Sequence, residues 1–180
     1  MPTHTIGVSR FSYFFTVDKR SAVLWLIVRV YLGWTWLEAG WGKLNSPAWA
    51  AGDSGSGIIG FVQGALAKTA GAHPDVQGWY ASFLHDYVLA HPLVWAHIIT
   101  WGEILVGVAL IAGFLVGLAA LGGVFMNLNF LLAGTVSINP IMFTLGIGLI
   151  LARRVAGYWG ADRYVLPFLR RSLRPRISTV

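Results

Sequence analysis

Three ionisable side chains, Arg29, Glu38 and Lys43, fall within the stretch "RVYLGWTWLEAGWGKL" that ends the first long apolar run. Later apolar runs carry His97 and Glu103, and then Asn127. Ionisable groups in such runs are costly in a bilayer, so by default they mark ligand, ion or proton pathways. The alternative is a buried ion pair that locks helices in register. A carboxylate or an imidazole beside a bound ring can exchange protons with it, which makes Glu103, Glu38 and His97 candidate catalytic groups. Arg29 and Lys43 offer positive charge for an anion or a ring oxygen, and Asn127 adds both a donor and an acceptor. Trp34 lies one turn before Glu38, Trp41 lies three residues after it, and Trp101 lies one turn from His97. A cavity lined by these indoles would suit a flat, partly polar ring; packing and interfacial anchoring are their other uses.

Depth along each helix, at about 1.5 Å per residue, predicts how these groups meet. Counted from the outer ends, Arg29, Glu103 and Asn127 fall near the middle, whereas Glu38 and His97 share a shallower level. Arg29 and Glu38 are nine residues apart and point to opposite sides of their helix, so each needs a partner on another. The spacing therefore predicts a middle layer of Arg29, Glu103 and Asn127, and an outer layer of Glu38 and His97. Lys43 marks the outer boundary.

The elements that must position these groups are membrane helices. The 180 residues are 56% hydrophobic and 11% charged, against roughly a quarter charged in an average soluble domain, and the mean hydropathy is +0.66. Four spans are predicted at about 22–44, 92–112, 116–137 and 140–157. The last is the least apolar: Arg153 and Arg154 would snorkel, with Tyr158 and Trp159 at the headgroups. Residues 45–91 are too long for a bare loop, and apolar residues recur there at helical spacing, which predicts amphipathic helices lying on the outer face. The fold class is thus an all-α membrane protein, a four-transmembrane-helix bundle in one domain over residues 1–180.

Seven of the thirteen Lys and Arg follow Ala152, and Arg10, Lys19 and Arg20 precede the first run. The outer segment carries Asp53, Asp75, Asp86 and Lys68. That asymmetry predicts a multi-pass protein of the cell's inner (cytoplasmic) membrane with both termini and the basic tail, 158–180, in the cytoplasm. It also makes nucleic acid a poor partner for the net charge of +6. The first twenty residues lack the pattern of a cleaved signal and read either as a cytoplasmic amphipathic lead-in against the bilayer or as a disordered segment. With no Cys, the chain supplies no thiol, disulfide or iron–sulfur ligand. A haem-type His pair is absent from the spans, and the spacing of His73, His85 and His91 matches no standard metal site.

In order and spacing, several short motifs resemble the DoxX/DoxD family. The first span carries Arg29, Leu32, Gly33, Gly40, Lys43 and Leu44; the second carries Glu103, Gly107, Leu110 and Gly113; "NLNFLLAGT" and "AGYWGADRY" follow. The long outer segment and the "GADR" tail are closer to the DoxD branch, which is similar to a subunit of thiosulfate:quinone oxidoreductase. The resemblance implies a small four-helix subunit of a membrane redox complex, with quinone as acceptor and a sulfur or thiol reductant. It also implies other membrane or peripheral redox subunits as partners, beside the lipid bilayer and a possible oligomer. Without Cys, sulfur chemistry would need such a partner or direct contact between ligand and quinone. A non-catalytic scaffold or assembly subunit stays open, as does a small proton-coupled transporter, although no internal symmetry supports the latter.

Overall fold

The computed structural model describes residues 9–172 except Asp53; side chains are described to residue 169. The first eight residues, Asp53 and the end of the basic tail, with Arg174 and Arg176, lie outside the described residues. All regular structure among the described residues is helical.

Helix α1 (Arg10–Thr16) starts at Ser9, whose hydroxyl accepts the Ser12 N–H. A 3-10 turn (Lys19–Ser21), capped by the Asp18 carboxylate, leads into α2 (Ala22–Leu44). Residues 45–91 form a cap. It holds α3 (Ser56–Leu66), α4 (Gly78–Phe83) and a π turn (Leu84–Val88) that continues α4. Pro92 then opens α5 (Pro92–Ala112), where its missing N–H costs nothing. Helices α6 (Val116–Leu132), α7 (Asn139–Leu151), α8 (Arg153–Ala156) and α9 (Asp162–Ser172) follow among the described residues.

Two helical stretches are long and apolar enough to cross a membrane, Lys19–Leu44 and Pro92–Ala112; α6 and α7 are shorter apolar helices. Helix α6 ends at Leu132 rather than at 137, because Gly134 takes φ +69° and Ser137 takes φ +39°, both incompatible with a continuing helix. Helix α7 ends at Leu151 rather than at 157, and α8 turns back to pack against α2, α6 and α7. Helix α2 packs on α5, α5 on α6, α6 on α7 and α7 on α2, so the contacts close a ring.

Close approach of α2 and α5 sets the register of everything between them. A Cβ at Gly107 would lie 2.6 Å from the Leu37 nitrogen and 2.8 Å from the Gly33 oxygen. Only glycine permits backbones at that distance, as at small-residue seams in lipid. One apolar core fills the ring around Leu32, Trp36, Leu110, Met142 and Leu149. A second, around Ile58, Val62, Tyr80, Leu84 and Ala96, joins the cap to α5.

Candidate functional site

Helix α2 presents one inward face through Arg29, Gly33, Trp36 and Gly40, all buried, with Lys43 one turn beyond. These positions recur at intervals of four and three, so the seam to α5 and both of its cations share one stripe. Gly40 lets α5 approach so closely that a Cβ there would lie 3.0 Å from the Cβ of Glu103. Lys43 reaches the same carboxylate, donating from Nζ to Oε2 at 2.7 Å and to Oε1 at 2.9 Å. Glu103 is 1% exposed and the Lys43 side chain 20%, so the pair sits at the cap end with its cation towards the surface. The ammonium also lies 5.1 Å from the centre of the Trp49 ring, in a cation–π contact.

Two other buried polar side chains lie at this level. Thr100 shares the Glu103 face of α5, one turn nearer the cap. The α5–α6 register follows from Gly102 against Met126 and Gly123 against Val106, and it places Asn127 level with residues between Thr100 and Glu103. The Thr100 hydroxyl and both polar atoms of the Asn127 amide are buried without a hydrogen-bond partner. Buried polar groups are ordinarily satisfied. Three polar atoms at the depth of the buried ion pair thus lack a hydrogen-bond partner among the described residues.

The arginine is elsewhere. The α2–α5 register puts Arg29 level with Gly113, roughly 15 Å along the axis from Glu103. Its guanidinium donates to the carbonyls of Ala156 at 3.1 Å and Trp159 at 3.0 Å. The predicted pairing of Arg29 with Glu103 is thus corrected: each has its own partners, at opposite ends of the seam. Nearby, the buried Asp162 accepts the Leu115 and Val116 N–H groups at 2.6 and 2.9 Å, closing the N-terminus of α6. This tail-end cluster ties the segment after α8 to α2 and α6.

The predicted outer layer does not form either. Glu38 and His97 are both exposed, and no hydrogen bond or ion pair joins them among the described residues. The register puts Glu38 opposite residue 105, so His97 lies roughly 12 Å further towards the cap. Depth counting fails because α5 begins well beyond the end of α2. Trp34, Trp41 and Trp101 are 62%, 61% and 49% exposed, on the outer faces of their helices. The buried indole on the seam is Trp36, at 4% exposure.

A cavity of about 160 Å³ lies between the cap and the adjoining ends of α5 and α6. Phe61, Tyr80, Phe83, Trp95, Phe125 and Phe130 supply its aromatic walls. The Tyr80 hydroxyl donates to Asn129, whose backbone and side-chain oxygens lie at 3.0 and 3.1 Å, and the Asn129 amide donates to the Phe125 carbonyl. Burial pushes the Tyr80 phenol up to about 12. On the same α5–α6 seam, nearer the tail end, an apolar groove of about 600 Å³ is lined by Leu105, Ala109, Ala112, Leu115 and Leu118 among others.

Tyr80, Asn129, Thr100, Trp36 and Asp162 were not picked out from sequence as site residues. Trp36 and Gly40 carried a signal, their spacing from Arg29 and Lys43; the cap residues carried none, because their partners are set by the fold of the cap.

Comparison with known proteins gives one family model, described as "TQO small subunit DoxD", which matches residues 24–167. No curated protein and no solved structure matches the chain.

Proposed function

The chain belongs to the DoxD family, and on that premise we propose that it is the small integral-membrane subunit of a quinone-linked redox complex that oxidises thiosulfate or a related sulfur or thiol reductant. In this reading α6 and α7 join α2 and α5 as four spans. The cap faces the outside, and the α1, α8 and α9 end faces the cytoplasm of an inner membrane. The charges support that orientation: Arg153, Arg154 and Arg163 lie at one end, and Asp75 and Asp86 in the cap outnumber its Lys68.

The observation that carries the proposal is the polar level of the bundle, where Thr100 and Asn127 stand without partners at the depth of the buried Lys43–Glu103 pair. A purely structural pair is served best when every neighbouring polar group is satisfied. Orphaned donors and acceptors at its depth fit a ligand oxygen. Lys43 spends two donors on Glu103 and retains a third N–H with partial access to the cap surface, which suits an arriving oxyanion. The Asn127 amide and Thr100 hydroxyl would orient a ring oxygen, and Glu103 would hold or pass a proton at its carboxylate. A quinone acceptor supplies the sink for two electrons and two protons. When two thiosulfates couple into tetrathionate they release two electrons and no proton, so the protons must come through groups such as Glu103. Electrons reach the acceptor from a partner subunit or by direct contact, since the chain has no thiol of its own.

The test is mass spectrometry of small molecules extracted from gently purified protein, wild type against Glu103→Gln, with thiosulfate-dependent quinone reduction measured on the intact complex. Stoichiometric quinone that is lost in the variant, together with lost reduction, is the expected result. Phospholipid alone in both, with the variant folded, would overturn the quinone site and leave a scaffold or assembly subunit.

A further inference from the structure

The aromatic cavity under the cap and the apolar groove below it open on the same α5–α6 seam. On α5 the cavity is lined at Ile98 and Ile99 and the groove from Leu105 to Ala112; on α6 the cavity is lined from Phe125 to Phe130 and the groove from Leu115 to Ala119. Between them the seam is kept shallow by Gly102 and Gly122, where a Cβ would already touch Met126 and Val106. The run from Ile98 to Ala112 spans roughly 21 Å. Its two ends differ in chemistry. The cap end has ring faces on several sides, plus the Tyr80 hydroxyl and the Asn129 side chain as its polar handles. The tail end is apolar throughout.

We propose that this seam is the binding site of a prenylated quinone with a single-ring head, the ring lying in the cavity beneath the cap and the polyprenyl tail running down the groove towards Phe114. The proposal rests on the quinone-linked reading above and adds where the molecule lies and which head it takes. Size selects the head. About 150 Å³ of apolar cavity accommodates one benzene ring, and this cavity has about 160 Å³, the measure of a single six-membered ring. The tail selects itself by length, since a head group alone leaves the groove unused. The cavity and the polar level share a depth: Ile99 precedes Thr100, and Asn127 lies between Met126 and Asn129 on α6. A ring held there has Asn129 and Tyr80 within reach and lies at the depth of Thr100 and Asn127.

The experiment uses the purified full chain in nanodiscs and measures binding of three probes by quenching of tryptophan fluorescence. They are a benzoquinone with a long polyprenyl tail, the same head with one isoprene unit, and a naphthoquinone with the long tail. The long-tailed benzoquinone is expected to bind at least tenfold more tightly than the naphthoquinone. Ala109→Phe, which fills the groove, is expected to weaken the long-tailed benzoquinone about tenfold and to leave the one-isoprene probe unchanged. If Ala109→Phe does not fold, Ala112→Phe, at an exposed groove position, serves the same comparison. Equal or tighter naphthoquinone binding, or long-tail binding indifferent to the filled groove, overturns this site. Quinone retained by the wild type in the extraction experiment would then leave the redox reading standing. No binding of any probe, with no extractable quinone, removes both.

Discussion

Lys43→Met leaves the Glu103 carboxylate buried at 1% exposure with both of its hydrogen bonds from Lys43 gone. At 4 Å and an effective dielectric near 20, two unit charges attract by about 4 kcal/mol, and removing one partner of a buried pair typically costs 3–5 kcal/mol. The reverse change, Glu103→Met, strands an ammonium that is 20% exposed and already faces the Trp49 ring. That cation can reach water, so its loss of partner should cost less, about 1–3 kcal/mol. The double substitution should recover most of the deficit, because no charge is then left unpaired. The assay is reversible denaturant unfolding in mixed micelles, followed by circular dichroism, for the wild type, both singles and the double. A coupling energy above about 2 kcal/mol with Lys43→Met the worse single is the expected pattern. Singles that each cost under 0.5 kcal/mol, or a Glu103→Met that costs more than Lys43→Met, would refute the asymmetric pair described here.

Arg29→Leu removes two charge-assisted hydrogen bonds to the Ala156 and Trp159 carbonyls; at about 1.5–3 kcal/mol each, the segment after α8 should detach and become cleavable by added protease while α2 to α7 stay protected. Tyr80 has a folded-state value of about 12 against 10 unfolded, so its contribution is complete below pH 10 and is lost as pH rises towards 12. Stability measured across that window should fall by at most about 3 kcal/mol, and Tyr80→Phe should abolish the slope. Gly107→Val forces branches against the Leu37 and Gly33 backbones; opening the α2–α5 seam should lower the melting temperature by several degrees or prevent folding. Glu38→Gln, by contrast, should change the stability of the isolated chain by less than about 0.5 kcal/mol, since Glu38 makes no contact with a counter-ion among the described residues.

Hydropathy made the positions of α2 and α5 readable, and Pro92 and Gly113 bounded α5 as their backbone chemistry requires. The ends of α6 and α7 were not, because Gly134, Ser137 and the turn-back at Ala152 act through local φ values and packing rather than through apolar content. Among the site residues, Lys43, Glu103 and Asn127 were marked by type, and the structure brings them to one level. Which cation meets which carboxylate was decided by register, and register is written in Gly33, Gly40 and Gly107, which say that two backbones touch but not where the next helix begins. Counting depth from helix ends assumed level ends, and so paired Arg29 with Glu103 and Glu38 with His97. The aromatic cavity was invisible for a similar reason: Tyr80 and Asn129 are 49 residues apart, and only the folded cap brings them together.

The tail-end cluster also carries a consequence for synthesis. The acceptor for one arm of Arg29 is the carbonyl of Trp159, 130 residues later in the chain. At 5–20 residues per second, the ribosome needs roughly 6–26 s after making the arginine before its acceptor exists. During that interval the first helix carries a full positive charge with no intramolecular partner, and α6 lacks the carboxylate of Asp162 that closes its first turn. Until the last helices arrive, α2 must keep that charge in contact with water or another polar group. A chain that ends before the "GYWGAD" segment therefore leaves Arg29 without its Trp159 acceptor and α6 without the Asp162 cap.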